Sequence, residues 1–450
     1  MPVRILDVFV SKAYVPGVRS RITIAVAAAG IAAFALLYAP QPVLPQLAAQ
    51  FDTSPGGASL AVSTATGALA VMVLPLATLS QFVDRRWVIV VSLLVAVAAG
   101  AALPLASTFP AFLGLRVVQG AAIAGLPATA MAYLADRLGG TGLGAAIGAM
   151  VAGNSMGGMA GRLTAGFSTD EMGWRAGIGC VTAFAALAAA VTVITLPAGP
   201  RPVRGPAFAG IHAALRTPIL LAQYAIAALA MGSFVALYNA IGFRLTLRPL
   251  SVPQGPASLI FLAYLVGGIC SATAGRLADR AGRVPVLLGG LLFAALGALG
   301  TLPDSVLAVA LGLGVFTGGF FAAHSVASGW VSAAAPPTAR GQAAGLYQCA
   351  FYVGGSIGGT AGTAVFAHAG WTALVAVVLC WLALAAAAAV AARAGAAALD
   401  QSWSAGGRHP RRRPGVERCG GPRQPQQAER PELDRDRDGH DGLLGNASRR

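Results

Sequence analysis

Gly157-Gly158-Met159-Ala160-Gly161 returns as Gly358-Gly359-Thr360-Ala361-Gly362, offset by 201 positions (157 to 358). Gly173-Trp174 returns as Gly370-Trp371, offset by 197 (173 to 370), and Asp84-Arg85 as Asp279-Arg280, offset by 195 (84 to 279). Three landmarks recurring in order at nearly one spacing mark a chain built from two related halves. Small residues this dense inside apolar runs let helix backbones approach closely, so the repeat also predicts helix-on-helix packing.

The 450 residues are 56% hydrophobic and only 10% charged, against roughly 25% charged in an average soluble protein, so they cannot cover a water-facing surface. A soluble enzyme is excluded, and the bilayer becomes the solvent. Twelve apolar runs are long enough to span it, ended by Arg, Asp or Pro-Gly punctuation. In the first half they run approximately from Ile22 to Pro45, Ala58 to Val83, Trp87 to Ala106, Pro110 to Leu134, Gly142 to Phe167 and Trp174 to Leu196. In the second half they run approximately from Ile219 to Phe243, Pro256 to Leu277, Val284 to Leu302, Ser305 to Ala334, Gly341 to His368 and Trp371 to Ala392.

The expected fold is therefore all-α, with twelve transmembrane helices in two six-helix bundles. Residues 1–21 form an N-terminal segment, 22–196 the first bundle, 197–218 a Pro- and Arg-bearing linker, 219–396 the second bundle and 397–450 a polar tail expected to be disordered. No small-residue cleavage site follows the first apolar run, which reads as a helix and not as a removable signal. Counting Arg and Lys in alternating connections gives 14 on the linker side against Arg175, Arg244 and Arg248 on the other, so both termini are expected in the cytoplasm. The net charge of +15 follows from this bias and from an Arg-rich tail, which argues for membrane topology and against a nucleic-acid partner. Six spans per half give both halves one orientation, related by an axis along the membrane normal. In that arrangement a solute site lies at mid-depth between the halves.

The connection after span eight reads Gly275-Arg276-Leu277-Ala278-Asp279-Arg280-Ala281-Gly282-Arg283, and its partner after span two reads Ser80-Gln81-Phe82-Val83-Asp84-Arg85-Arg86-Trp87. A carboxylate at a helix end accepts from the N-terminal amides of a facing helix. By the repeat, Asp84 is expected at the start of span eleven near Gly341, and Asp279 at the start of span five near Gly142. With Asp136 and Arg137 at the end of span four, the residues Asp84, Arg85, Asp279, Arg280 and Arg283 are candidate gating groups. Span four carries Arg116-Val117-Val118-Gln119-Gly120, and span five carries Gly153-Asn154-Ser155-Met156-Gly157-Gly158.

These segments resemble the major facilitator superfamily: the loop after span eight matches its loop pattern, and Arg116 to Gly120 matches its Arg, two residues, Gln, Gly signature. Span five is close to the antiporter pattern but has Asn154 where that pattern has Pro. Met231 to Val235, Tyr238 to Arg244 and Phe320 to Ser328 are similar to YnfM-type, arabinose-efflux-permease-like members of the drug:proton antiporter family. The resemblance covers roughly residues 22–392. It implies a bacterial inner-membrane secondary transporter that exports a small organic compound, drug or sugar-like, in exchange for protons. An uptake porter or uniporter for a sugar, amino acid or organic acid on the same fold, and a non-transporting membrane receptor, remain alternatives.

Candidate cavity residues are Tyr38, Gln41, Arg116, Gln119, Asn154, Tyr238, Asn239, His324, Gln348 and Tyr352, polar or aromatic groups placed within apolar spans. Tyr224 and Tyr264 read as interfacial anchors. No Asp or Glu lies inside any span, so the candidate proton-responsive groups are His324, Asp136 and Arg116. The five cysteines form no C-x-x-C pair, and there is no Walker loop, His-Glu metal motif or nucleophile elbow. The expectation is a cofactor-free, metal-free monomer whose partners are a small solute, protons and lipid.

Overall fold

The computed structural model describes residues 16–138, 142–198, 210–336 and 339–406, and these are helical with no strand among them. The first half holds α1 (Pro16–Tyr38), α2 (Leu44–Gln50), α3 (Pro55–Leu79), α4 (Arg85–Ala102), α5 (Phe109–Ile123), α6 (Gly125–Leu138) and α7 (Leu143–Thr195). The second holds α8 (Ile211–Arg216), α9 (Pro218–Thr246), α10 (Gln254–Ser258), α11 (Ala263–Ala281), α12 (Arg283–Gly300), α13 (Val306–Ala334) and α14 (Arg340–Gly406). Short 3-10 turns cover Leu103–Leu105 and Leu259–Leu262.

Helix starts are set by local chemistry. Ser54 and Thr108 cap the amides of Gly57 and Ala111, and Pro55 and Pro110 occupy the first turn, where a missing N–H is no loss. Among the described residues, ten apolar helical segments are long enough to cross a membrane, two of them 53 and 54 residues long. A straight helix of that length would reach about 80 Å, far beyond a hydrocarbon core of about 30 Å. Both are broken by a glycine at φ +80°, Gly173 and Gly370, a backbone state that an L side chain rarely adopts. In α7 the chain doubles back there: Gly153 on the first arm meets Ala27, and Thr192 on the second donates to the Ala25 carbonyl at 3.2 Å. Two hairpins in ten segments make twelve crossings, in two six-helix bundles.

Outward-facing side chains are apolar, with Leu105, Leu187, Ile194 and Leu307 exposed by 82, 71, 71 and 68%. Such a surface belongs in lipid. Inside each bundle the glycine repeat forms a close helix crossing. Gly153, Gly157 and Gly161 of α7 lie against Ala27, Ile31 and Ala35 of α1, and a Cβ at Gly161 would sit 2.7 Å from the Ala35 Cα. Gly354, Gly358 and Gly362 of α14 lie against Ala228, Gly232 and Ala236 of α9. Every one of these six positions maps onto its counterpart at the single offset of 201 (153 to 354, 27 to 228).

Bonds between the halves gather at the end away from the linker. Ser356 Oγ donates to the Ser63 carbonyl at 2.6 Å, Thr360 Oγ1 donates to Ser63 Oγ at 2.8 Å, and Gln46 Nε2 donates to Gln254 Oε1 at 3.1 Å. Gln254 in turn donates to the Pro42 carbonyl. Polar bonds between membrane helices are worth about 0.6 kcal/mol each on average, so these bonds add little to holding the halves together.

Three boundaries differ from the sequence reading. Helix α1 begins at Pro16 and takes in Arg19 and Arg21, because a helix can leave the apolar layer while its arginines snorkel toward the headgroups. The short helix α8 forms within the 197–218 linker. Helix α14 runs past residue 396 to Gly406, carried by the Ala-rich stretch from Ala385 to Ala398. The rest of the expected tail, 407–450, lies outside the described residues, as do 1–15 and 199–209.

Candidate functional site

Helix α1 ends at Tyr38, and α7 is held against it by the glycine face. That crossing brings Arg162, one position beyond Gly161, beside the end of α1. Arg162 is 1% exposed. Its Nε–H donates to Gln41 Oε1 at 2.6 Å and its Nη1 to the Gly158 carbonyl at 2.7 Å, where the absent side chain of Gly158 leaves room for the guanidinium. Gln41 Nε2 then donates to Asn239 Oδ1 at 2.7 Å, on α9 of the other half. Three rings surround the cation: Tyr38 at 4.2 Å from Cζ to centroid, Tyr264 at 4.8 Å and Phe261 at 5.2 Å, the last two from the second half.

The second half continues the aromatic wall. Tyr238 stacks on Phe261 at 5.7 Å and its hydroxyl pairs with Thr317 Oγ1 at 2.7 Å. Phe234 lies 4.6 Å from Tyr238 and 4.1 Å from Phe320, and Phe320 lies 6.0 Å from His324 with nearly parallel rings. A file of aromatic rings thus runs from Arg162 to His324, whose Nδ1 is 2.9 Å from the Tyr347 hydroxyl. Tyr352 is buried with its ring edge-on to Phe351 at 5.3 Å, Phe351 lies 4.7 Å from His324, and Gln348 is half-buried one turn before Tyr352.

Four of the residues picked from sequence therefore meet around one point: Tyr38, Gln41, Tyr238 and Asn239. His324 and, through Phe351, Tyr352 belong to the linker-side continuation of the same wall. Asn154 is packed over Gly30 of α1, and its Oδ1 has no donor among the described residues. Arg116 and Gln119, expected at the cavity, are instead both fully buried within the first half. Arg116 donates to the carbonyls of Ala61 at 2.6 Å and Leu36 at 3.1 Å, to that of Leu37, and to Gln119 Oε1, and Gln119 Nε2 donates to the Ala96 carbonyl at 3.0 Å. The last carbonyls of α1 have no partner in their own helix, and Arg116 supplies it.

The gating candidates are also placed differently from the expected latches. The Asp84 carboxylate caps its own helix, accepting from Arg86 N at 2.9 Å, and nothing lies within 4 Å of a Cβ built on Gly341. The nearest atoms to such a Cβ on Gly142 belong to Arg19, not to Asp279. Asp84 is an N-cap because the chain turns directly from α3 into α4 and leaves four free amides there. Arg85 pairs with Asp136, and Arg137 donates to the Ala198 carbonyl at the start of the linker. Asp279 and Arg283 line a cavity of about 430 Å³ beside Trp330. Arg280 and Arg276 edge an apolar cavity of about 790 Å³ between α11, α12 and α13.

The sequence reading missed Arg162 and took Tyr264 for an interfacial anchor, whereas the Tyr264 ring faces that guanidinium. The signal was present: an arginine at bilayer depth is a functional hypothesis by default.

The Major Facilitator Superfamily family model matches residues 23–269 and 250–416. The chain is 36% identical over 370 residues to the inner membrane transport protein YnfM of Escherichia coli, covering 81% of this chain and 88% of that one. It is 34% identical over 370 residues to the uncharacterized MFS-type transporter YybF of Bacillus subtilis, covering 81% and 91%. Among solved structures it superposes with a TM-score of 0.72 on a bacterial homolog of the human lysosomal transporter Spinster in an inward-facing, unoccupied conformation, at 17% identity and covering 84% and 98%. It also superposes on the nucleoside transporter NupG with a TM-score of 0.66, at 14% identity and covering 83% and 99%. Repeated halves, hairpin breaks and a buried site shared between bundles are thus joined by matches along most of the length, and the chain belongs to the Major Facilitator Superfamily of membrane transporters.

Proposed function

We propose that this transporter is a proton-coupled exporter of a small organic compound, working as a monomer in the bacterial inner membrane with both termini in the cytoplasm. The halves 22–196 and 219–396 rock against one another about the Arg162 site, joined by the cytoplasmic linker 197–218, and the tail 397–450 stays on the same side. The observation that carries this reading is the Arg162–Gln41–Asn239 bridge, because a solute bound there touches both halves at once. The weak polar seal at one end supports alternating access, since it can open without breaking either bundle. Proton coupling is supported by His324, a titratable ring on the same aromatic wall as the site.

In cells making the protein, collapse of the proton gradient is expected to raise accumulation of a fluorescent substrate, and Asp279→Asn is expected to reduce its export. His324→Gln should leave a transporter whose rate no longer follows cytoplasmic and external pH. An uncoupler that lowers accumulation would mean uptake and would overturn the export direction.

A further inference from the structure

The Arg162 guanidinium is held by neutral partners. Gln41 Oε1, the Gly158 carbonyl and three rings stabilise it, and among the described residues no carboxylate lies within ion-pair distance of it. The hydrogen-bond relay that leaves it points one way. Arg162 donates to Gln41, Gln41 donates to Asn239, and the Asn239 amide nitrogen finds no acceptor among the described residues although the side chain is fully buried. A buried relay made of donors, with a cation at one end and an orphan donor at the other, lacks an anionic acceptor.

We propose that the transported solute is an organic anion, a carboxylate on a flat apolar body, which binds by taking the Nε–H of Arg162 from Gln41 while its body lies against the rings of Tyr38, Tyr264 and Phe261. This rests on the transport reading above and adds its substrate class. The guanidinium fork matches a carboxylate, and rings already packed around it offer the apolar faces that such a body stacks on. Binding also acts on the seal. Once Gln41 loses its hold on Arg162, its bond to Asn239 is no longer oriented from the first half, so the anion loosens the bridge between the halves at the place it occupies.

The test uses the purified full chain and three aryl carboxylates, benzoate, 1-naphthoate and indole-3-acetate, each beside its primary amide of the same shape. Calorimetric titration is expected to favour at least one carboxylate over its amide by about tenfold or more, the factor that one charge-assisted bond supplies. Arg162→Gln should erase that preference. Gln41→Glu, equal in shape, places an internal carboxylate on Arg162 and should erase it too while keeping the melting temperature, which guards against a variant that merely misfolds. Gln41→Ala removes the competitor and should tighten carboxylate binding several-fold. Equal affinity for carboxylate and amide, no carboxylate binding at all, or a preference that survives both Arg162→Gln and Gln41→Glu overturns the proposal. Flux from loaded proteoliposomes separates the two readings. Movement of amides but not carboxylates sinks the anion and keeps the transporter, whereas Arg162-dependent carboxylate binding without any flux keeps the site and sinks the transport reading.

Discussion

Arg116 caps the helix to which Leu36 belongs: its guanidinium takes the Leu36 carbonyl at 3.1 Å, together with those of Leu37 and Ala61, and is wholly buried in doing so. One side chain thus ties α5 to α1 and α3. Arg116→Ala should lower stability on the order of 3 kcal/mol, since several buried carbonyls lose a charged donor. Arg116→Lys should not rescue it, because three donors on a single nitrogen cannot replace a planar fork that reaches four acceptors, three backbone carbonyls on two helices and Gln119 Oε1. Thermal unfolding in detergent measures the loss. Solute affinity of the surviving folded fraction should be unchanged, and a tenfold affinity loss without destabilisation would return Arg116 to the transport pathway.

The ion pair of Arg85 with Asp136 joins the start of α4 to α6, with side chains 14 and 36% exposed. Partial exposure screens it. A double-mutant cycle with Arg85→Gln and Asp136→Asn should give a coupling below about 1 kcal/mol. A coupling of several kcal/mol would mean that this pair, and not packing, holds the two helices together.

Ser63 Oγ and Thr360 Oγ1 are 2.8 Å apart across the halves. With the native cysteines replaced, Ser63→Cys together with Thr360→Cys should form a disulfide under mild oxidation and stop transport, and reductant should restore it. Continued turnover of the cross-linked protein would show that this end need not open.

Gly157 and Gly358 sit where two helix backbones touch, so Gly157→Val or Gly358→Val should cut the yield of folded protein severely, as forced overpacking costs about 1–3 kcal/mol or more. Gly148→Ala, with open space around its Cβ position, is the matched control and should be neutral or slightly stabilising. Size-exclusion profiles of fluorescent fusions compare the variants. Equal yields for Gly157→Val and Gly148→Ala would contradict the close crossing.

How far the sequence could be read follows from what leaves a mark in it. The span count and the repeat were legible because apolar length and glycine spacing are properties of consecutive residues, and Gly173 and Gly370 stood out beside their tryptophans. The site was half legible. Tyr38, Gln41, Tyr238 and Asn239 announced themselves as polar or aromatic groups in apolar runs, but the side chains around Arg162 are distant in sequence, Gln41 lying 121 residues away, and no local pattern links them. Arg116 was misplaced because its partners are backbone carbonyls at a helix end, groups every residue has. The latch expected of Asp84 failed for a similar reason: a carboxylate ahead of a helix serves its own amides before those of a distant one.

The 201-residue register has one consequence at the centre of the molecule. Thr363 is the counterpart of Arg162, fully buried, and its hydroxyl donates to the Gly359 carbonyl at 2.7 Å just as Nη1 of Arg162 donates to that of Gly158, which Gly359 matches. A duplicated scaffold has kept its geometry and lost its chemical symmetry at this pair. At this matched pair the first half presents a charged side chain and the second a neutral one, so the two flanks of the repeat differ in charge where their backbones agree.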